Sequence, residues 1–185
     1  MNIEPTAHGF IRNAINALLI VEACLQGESF HIPRTLRPEE ARSAVYDGTI
    51  SVYEVESSGI DEWHDHHQSY HEFRLGDFTV FCEAHMGPTY QMGRLIKQSM
   101  VLHWDGVRHH VISYFQVGTL QRAVSEGTEA PLDLDQIIIP DGLLEEQRHI
   151  RHSVAYRPWL GWRAEHWTLQ NGLFAQRPDS ESCRE

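Results

Sequence analysis

The sequence predicts an α+β fold, a single globular domain around a mainly antiparallel sheet with a few short helices. Three observations predict it. Two helix-like stretches come first and strand-like stretches follow. An Asp105-Gly106 pair sits between two long segments of alternating polarity. The chain has 185 residues, 41% hydrophobic and 22% charged, enough for one ordinary domain with a core.

Residues 13–26 read as the first helix, with Asn13 as N-cap, Ile15, Leu18, Leu19 and Glu22 at helical spacing, and Gly27 as the stop. The apolar set is broad, so this helix is expected to be mostly buried. A second helix is expected from Pro38 through Arg42 to about Tyr46. Asp47-Gly48 then turns into a strand over 49–56, with Ile50 and Val52 alternating with Ser51 and Tyr53. Residues 57–77 read as a polar, histidine-rich connection and 78–83 as the next strand.

Residues 95–104 and 107–115 form the expected hairpin. Pairing outward from the turn sets Trp104 opposite Val107, Leu102 opposite His109, Met100 opposite Val111 and Ile96 opposite Phe115. One face is then mainly apolar, with His109 half-buried and hydrogen-bonded. The other, carrying Lys97, His103, Arg108 and His110, is expected to be wet. Residues 123–136 offer no strand, and 136–142 read as a short apolar strand ended by Pro140. The tail carries Trp159, Trp162 and Trp167 before a polar end.

Formal charge is −11, and Lys97 is the single lysine. The deficit is uneven: residues 1–83 hold five arginines against fourteen acids, while 91–122 hold Arg94, Lys97, Arg108 and Arg122 against Asp105 alone. Such a balance excludes a general polyanion binder, so nucleic-acid contact would require a local basic patch. Cys24, Cys82 and Cys183 make no CxxC pair, which argues against a disulfide framework and for a reducing compartment. No apolar run approaches the roughly 18 residues of a membrane span, and the first residues do not read as a secretory signal. No nucleophile–base pair, phosphate loop or nucleotide fingerprint stands out, so the expectation is a non-enzyme.

Several segments in order carry a resemblance. They are Gly9-Phe10-Ile11, Asn16-Ala17-Leu18-Leu19 through Glu22-Ala23, Arg34-Thr35-Leu36, and Asp47-Gly48-Thr49-Ile50-Ser51-Val52-Tyr53. Next come Glu56-Ser57-Ser58-Gly59-Ile60, Trp63, Asp65, Leu75-Gly76-Asp77-Phe78 and Glu83. Leu95-Ile96-Lys97-Gln98-Ser99 and His109-His110-Val111-Ile112-Ser113-Tyr114-Phe115 complete the set. Together they resemble the WOPR family of fungal regulators over roughly residues 8–142, with no gap between Gly59 and Gly76. The resemblance implies two interlocking halves, about 8–84 and 91–142; residues 143–185 are left as an extension, expected to be partly packed by its tryptophans and disordered at its polar end.

The resemblance further implies sequence-specific binding of double-stranded DNA, A·T-rich by the arginine preference for narrow minor grooves, transcription regulation, nuclear action and no cofactor. Contacts with other transcription regulators are a further expectation; a membrane partner is not. Arg34, Arg37, Arg94, Lys97 and His110 are the DNA-contact candidates, and Gly59, Ile60, Trp63, Asp65, Gly76, Phe78, Ser113 and Tyr114 the structural motif. Where the family has two basic residues before the tryptophan, this chain has Asp61 and Glu62, which predicts weakened or altered DNA recognition.

Two other readings remain. An interaction module would keep the fold and pair through its acidic first half with a basic partner. A metal-binding protein would use His64, His66 and His71, with His67, Asp65 and Glu72 nearby, although this spacing matches neither a cupin-like nor an HExxH site.

Overall fold

The sheet grows outward from the Asp105-Gly106 turn. In the computed structural model, which describes residues 2–65, 70–75, 77–83, 95–116, 118–120, 122 and 136–147, the two longest strands meet there. Asp105 and Gly106 take φ of 48° and 75°, the paired positive values that a type I′ turn requires and that match the twist of the flanking strands. The strands are β5 (Leu95–Trp104) and β6 (Val107–Gln116), and their register sets Trp104 on Val107, Leu102 on His109, Met100 on Val111 and Ile96 on Phe115, as expected.

Around this hairpin stand β1 (Ala7–His8), β2 (Thr49–Glu54), β3 (Tyr70–Leu75) and β4 (Phe78–Glu83). The six form one sheet in the order β1-β2-β6-β5-β4-β3, with every neighbouring pair antiparallel. Strand β3 lies in the stretch expected to be a polar connection. It is an edge strand, and its polar pattern, Tyr-His-Glu-Phe-Arg-Leu, suits an edge better than a buried position.

Helix α1 (Ala14–Leu25) lies on one side of the sheet. Asn13 caps it by accepting from the Asn16 N–H at 3.0 Å. Leu18, Ile20, Val21 and Cys24 pack with Ile50, Val52, Val80, Met100, Leu102 and Val111 as one core. Burial raises the Cys24 thiol to about 12, so this cysteine serves packing rather than nucleophilic chemistry.

The opposite side is covered too, which overturns the expected wet face. Helix α2 (Pro38–Ala44), shorter than expected, packs Ala44 there with Ile3, Ile32, Leu36, Ile60 and Trp63 against Tyr53, Ile112 and Tyr114. Ser51 and Tyr53 are therefore as buried as Ile50 and Val52, and the alternation expected along β2 disappears. The covering is partial: Val101 and Arg108 are exposed and Ser99, His103 and His110 half-buried, while Lys97, Ile112 and Tyr114 are buried.

The chain leaves β2 two residues earlier than expected. It enters a single helical turn, α3 (Val55–Ser58), closed by Gly59 in the left-handed region at φ 66°. The expected strand over 136–142 is absent: residues 137–140 are irregular, Ile138 is 80% exposed, and helix α4 (Asp141–Glu146) follows. Pro140 starts this helix instead of ending a strand, and a short apolar run does not separate the two by periodicity. Helix α4 crosses residue 142. Its Leu143 is fully buried, and Gln147 bonds the backbone N–H and C=O of His103 on β5. The tryptophans of the tail lie outside the described residues.

Candidate nucleic-acid interface

Arg34 and Arg37 flank the entry to α2, and Glu40 organises both. Its carboxylate, buried at 2% exposure, takes two hydrogen bonds from the Arg34 guanidinium at 2.8 Å each. It also accepts the Arg37 backbone N–H at 2.9 Å and the Ile3 N–H at 3.3 Å. The Arg34 pair, then the Arg37 N–H, hold Glu40 down at about 2. Arg34 is thus fixed in one orientation with 37% of its side chain exposed, while Arg37 is exposed.

Lys97, expected on a solvated strand face, is turned into the protein. Its Nζ lies 3.0 Å from Asp65 Oδ2 and 4.6 Å from the centre of the Phe81 ring. The Tyr114 hydroxyl donates to Asp65 at 2.8 Å and accepts from Trp63 Nε1 at 2.7 Å. The Trp63 ring in turn stacks on Tyr53 at 5.6 Å. His110 is half-buried, stacked on Tyr53 and within 3.0 Å of its hydroxyl. Burial, then Arg108, lowers its pKa, so at neutral pH it presents no cation.

The remaining motif residues shape the backbone and core. Gly59 closes α3, while Ile60 and Phe78 are buried. Ser113 accepts from Gln98 Nε2 at 2.8 Å, and Gln98 also donates to the Ile11 carbonyl. Arg94, Gly76 and His66 lie outside the described residues, as does the His71 side chain. His64 is exposed, its Nδ1 donating to the Glu62 carbonyl at 2.9 Å, and Asp65 is committed to Lys97. The 64–72 stretch therefore shows no gathered ligand set among its described residues.

Sequence reasoning missed Glu40 and Gln98. Glu40 had a local signal, a glutamate three residues after the residue preceding Pro38, the reciprocal half of a capping box. Gln98 had half of one: the hairpin register sets it opposite Ser113, while its other partner, the Ile11 carbonyl, lies 87 residues away.

Residues 6–85 match the Gti1/Pac2 family. The global transcription regulator sge1 of Fusarium oxysporum f. sp. lycopersici is 39% identical over 83 residues, 45% of this chain and 25% of that protein. The transcriptional regulator MIT1 of Saccharomyces cerevisiae is 43% identical over 65 residues, 35% of this chain and 10% of that protein. The fold agrees with the WOPR domain of Wor1 from Candida albicans, solved with a 17-bp duplex, at a TM-score of 0.63 and 23% identity, over 78% of this chain and 99% of that one. The same domain with a 13-bp duplex gives 0.64 and 24%, over 79% and 97%. The chain has the fold of the WOPR domain, and its residues 6–85 resemble the Gti1/Pac2 family.

Within the WOPR fold the buried tetrad has a clear task. Trp63 and Asp65 come from the first half of the motif set, Lys97 and Tyr114 from the second, and their contacts fasten the halves together. Asp61 and Glu62, beside this joint, are exposed. The matched stretches span a quarter or less of the relatives' own length.

Proposed function

We propose that this chain is a DNA-binding transcription regulator of the WOPR type, acting in the nucleus without catalysis of its own. The observation that carries the reading is the match of its fold, over 78% of its length, to a domain solved with double-stranded DNA. The relatives named as global transcription regulators agree with it. Arg34, Arg37 and Arg94 are assigned to phosphates, with Glu40 orienting the first of them. Lys97, paired with Asp65, and the half-buried His110 are not assigned to phosphates. The preferred duplex is A·T-rich, where a narrow minor groove attracts arginine.

Mobility shift at about 50 mM salt on A·T-rich and G·C-rich duplexes of equal length tests this. An A·T-preferring shift is expected, and Arg37→Ala should reduce the salt slope by about 0.9 for one lost phosphate contact. No shift at tens of micromolar protein would defeat the proposal.

A second reading has one observation in its favour. Asp61 and Glu62 are exposed, whereas Lys97 and Arg34 are ion-paired to this chain's own acids. That balance suits a basic protein partner, such as another transcription regulator. Co-purification of such a partner, together with absent DNA binding, is the outcome that separates the two.

A further inference from the structure

A second constellation, on the other side of the sheet from the buried tetrad, gathers two imidazoles and a carboxylate. Glu54 ends β2 and faces His109 across the β2–β6 ladder. His31 reaches the same place from the segment after α1. It is held there because the next residue, Ile32, donates its N–H to the Val52 carbonyl at 2.7 Å. His31 Nε2 and His109 Nδ1 are 3.2 Å apart, and His31 Nδ1 lies 3.9 Å from Glu54 Oε1. One ligand atom from each of the three falls within 4.8 Å of the others.

We propose that His31, Glu54 and His109 form a binding site for a divalent cation of the zinc type. Zinc takes imidazole and carboxylate ligands in three-protein-ligand sites that leave a position for water. Two nitrogens bound tetrahedrally at about 2.0–2.1 Å stand about 3.3 Å apart, close to the separation of the two rings here. The ring centroids lie 5.3 Å apart at an interplanar angle of 37°, with His31 Nε2 and His109 Nδ1 facing each other. The Ser57 hydroxyl donates to Glu54 Oε2 at 2.6 Å, orienting the carboxylate and leaving Oε1 towards His31. His109 is buried and His31 is 20% exposed, which gives the ion an anchored ligand and an entry side. Binding moves the one proton shared between the two facing nitrogens to an outer ring nitrogen or to solvent. The ion would clamp the 31–32 segment to the sheet beside the Arg34 loop.

The test is titration of the chelator-stripped full chain with Co2+ and Zn2+. One equivalent of Co2+ per chain should give tetrahedral ligand-field absorption, displaced by Zn2+, and Zn2+ should raise Tm. His31→Ala and Glu54→Gln, on partly exposed side chains, should each weaken binding at least tenfold while keeping the circular dichroism of the parent. A His66→Ala/His67→Ala double variant should leave it unchanged. Binding below about 0.1 ion per chain, binding unchanged in His31→Ala and Glu54→Gln, or a signal that follows His66 and His67 instead would each overturn the proposal.

Discussion

Lys97 shows how burial reassigns a charged side chain. A lysine on a strand face is ordinarily solvated, yet here the ammonium keeps company with Asp65 and the Phe81 ring at 9% exposure. Removing one partner of a buried pair strands the other charge, a loss of about 3–5 kcal/mol. Lys97→Met should therefore destabilise by about that amount in urea unfolding, and adding Asp65→Asn should recover most of the loss. Glu40 makes a complementary prediction in acid. Its folded pKa is about 2 against an ordinary 4.5, so the folded state favours the ionised form. That contribution is complete above about pH 4.5 and is lost as pH falls towards 2. Acid unfolding of Glu40→Gln should show a weaker pH dependence in that window than the parent, from a lower starting stability.

At the scale of elements, the hairpin and α4 stand at opposite ends of legibility. The β5–β6 pair was readable because Asp105-Gly106 fixes both turn type and register locally. Gly106, at φ 75°, should cost about 1–2 kcal/mol when replaced by alanine, measured by thermal or urea unfolding. Helix α4 was misread because its neighbours decide it: Leu143 enters the core and Gly142 lies against Trp104, whose ring an added Cβ would meet at 3.2 Å. Leu143→Ala should lose about 2–5 kcal/mol through lost burial and a cavity. A marginal effect in the same assay would mean that α4 is not part of the cooperative unit. Strand β3 escaped notice for the edge-strand reason, since polar composition alone cannot distinguish a sheet edge from a loop.

For the whole molecule, a formal charge of −11 means that the proposed DNA contact must rest on a local cationic surface. Asp61→Lys/Glu62→Arg replaces two exposed acids by two bases and should raise DNA affinity. If both new cations reach phosphates, it should also steepen the salt slope by about 1.8. An unchanged slope would place this loop away from the duplex. The order of segments from Gly9 to Phe115 was enough to reveal the family resemblance and the α+β class, because turn formers, caps and strand periodicity are local properties of the chain. Which face of the sheet is dry, which cations are already paired within the chain, and that His31, Glu54 and His109 meet were decided only by the tertiary structure. Each depends on residues distant in sequence, whose burial and pairing arise only when both sides of the sheet are covered.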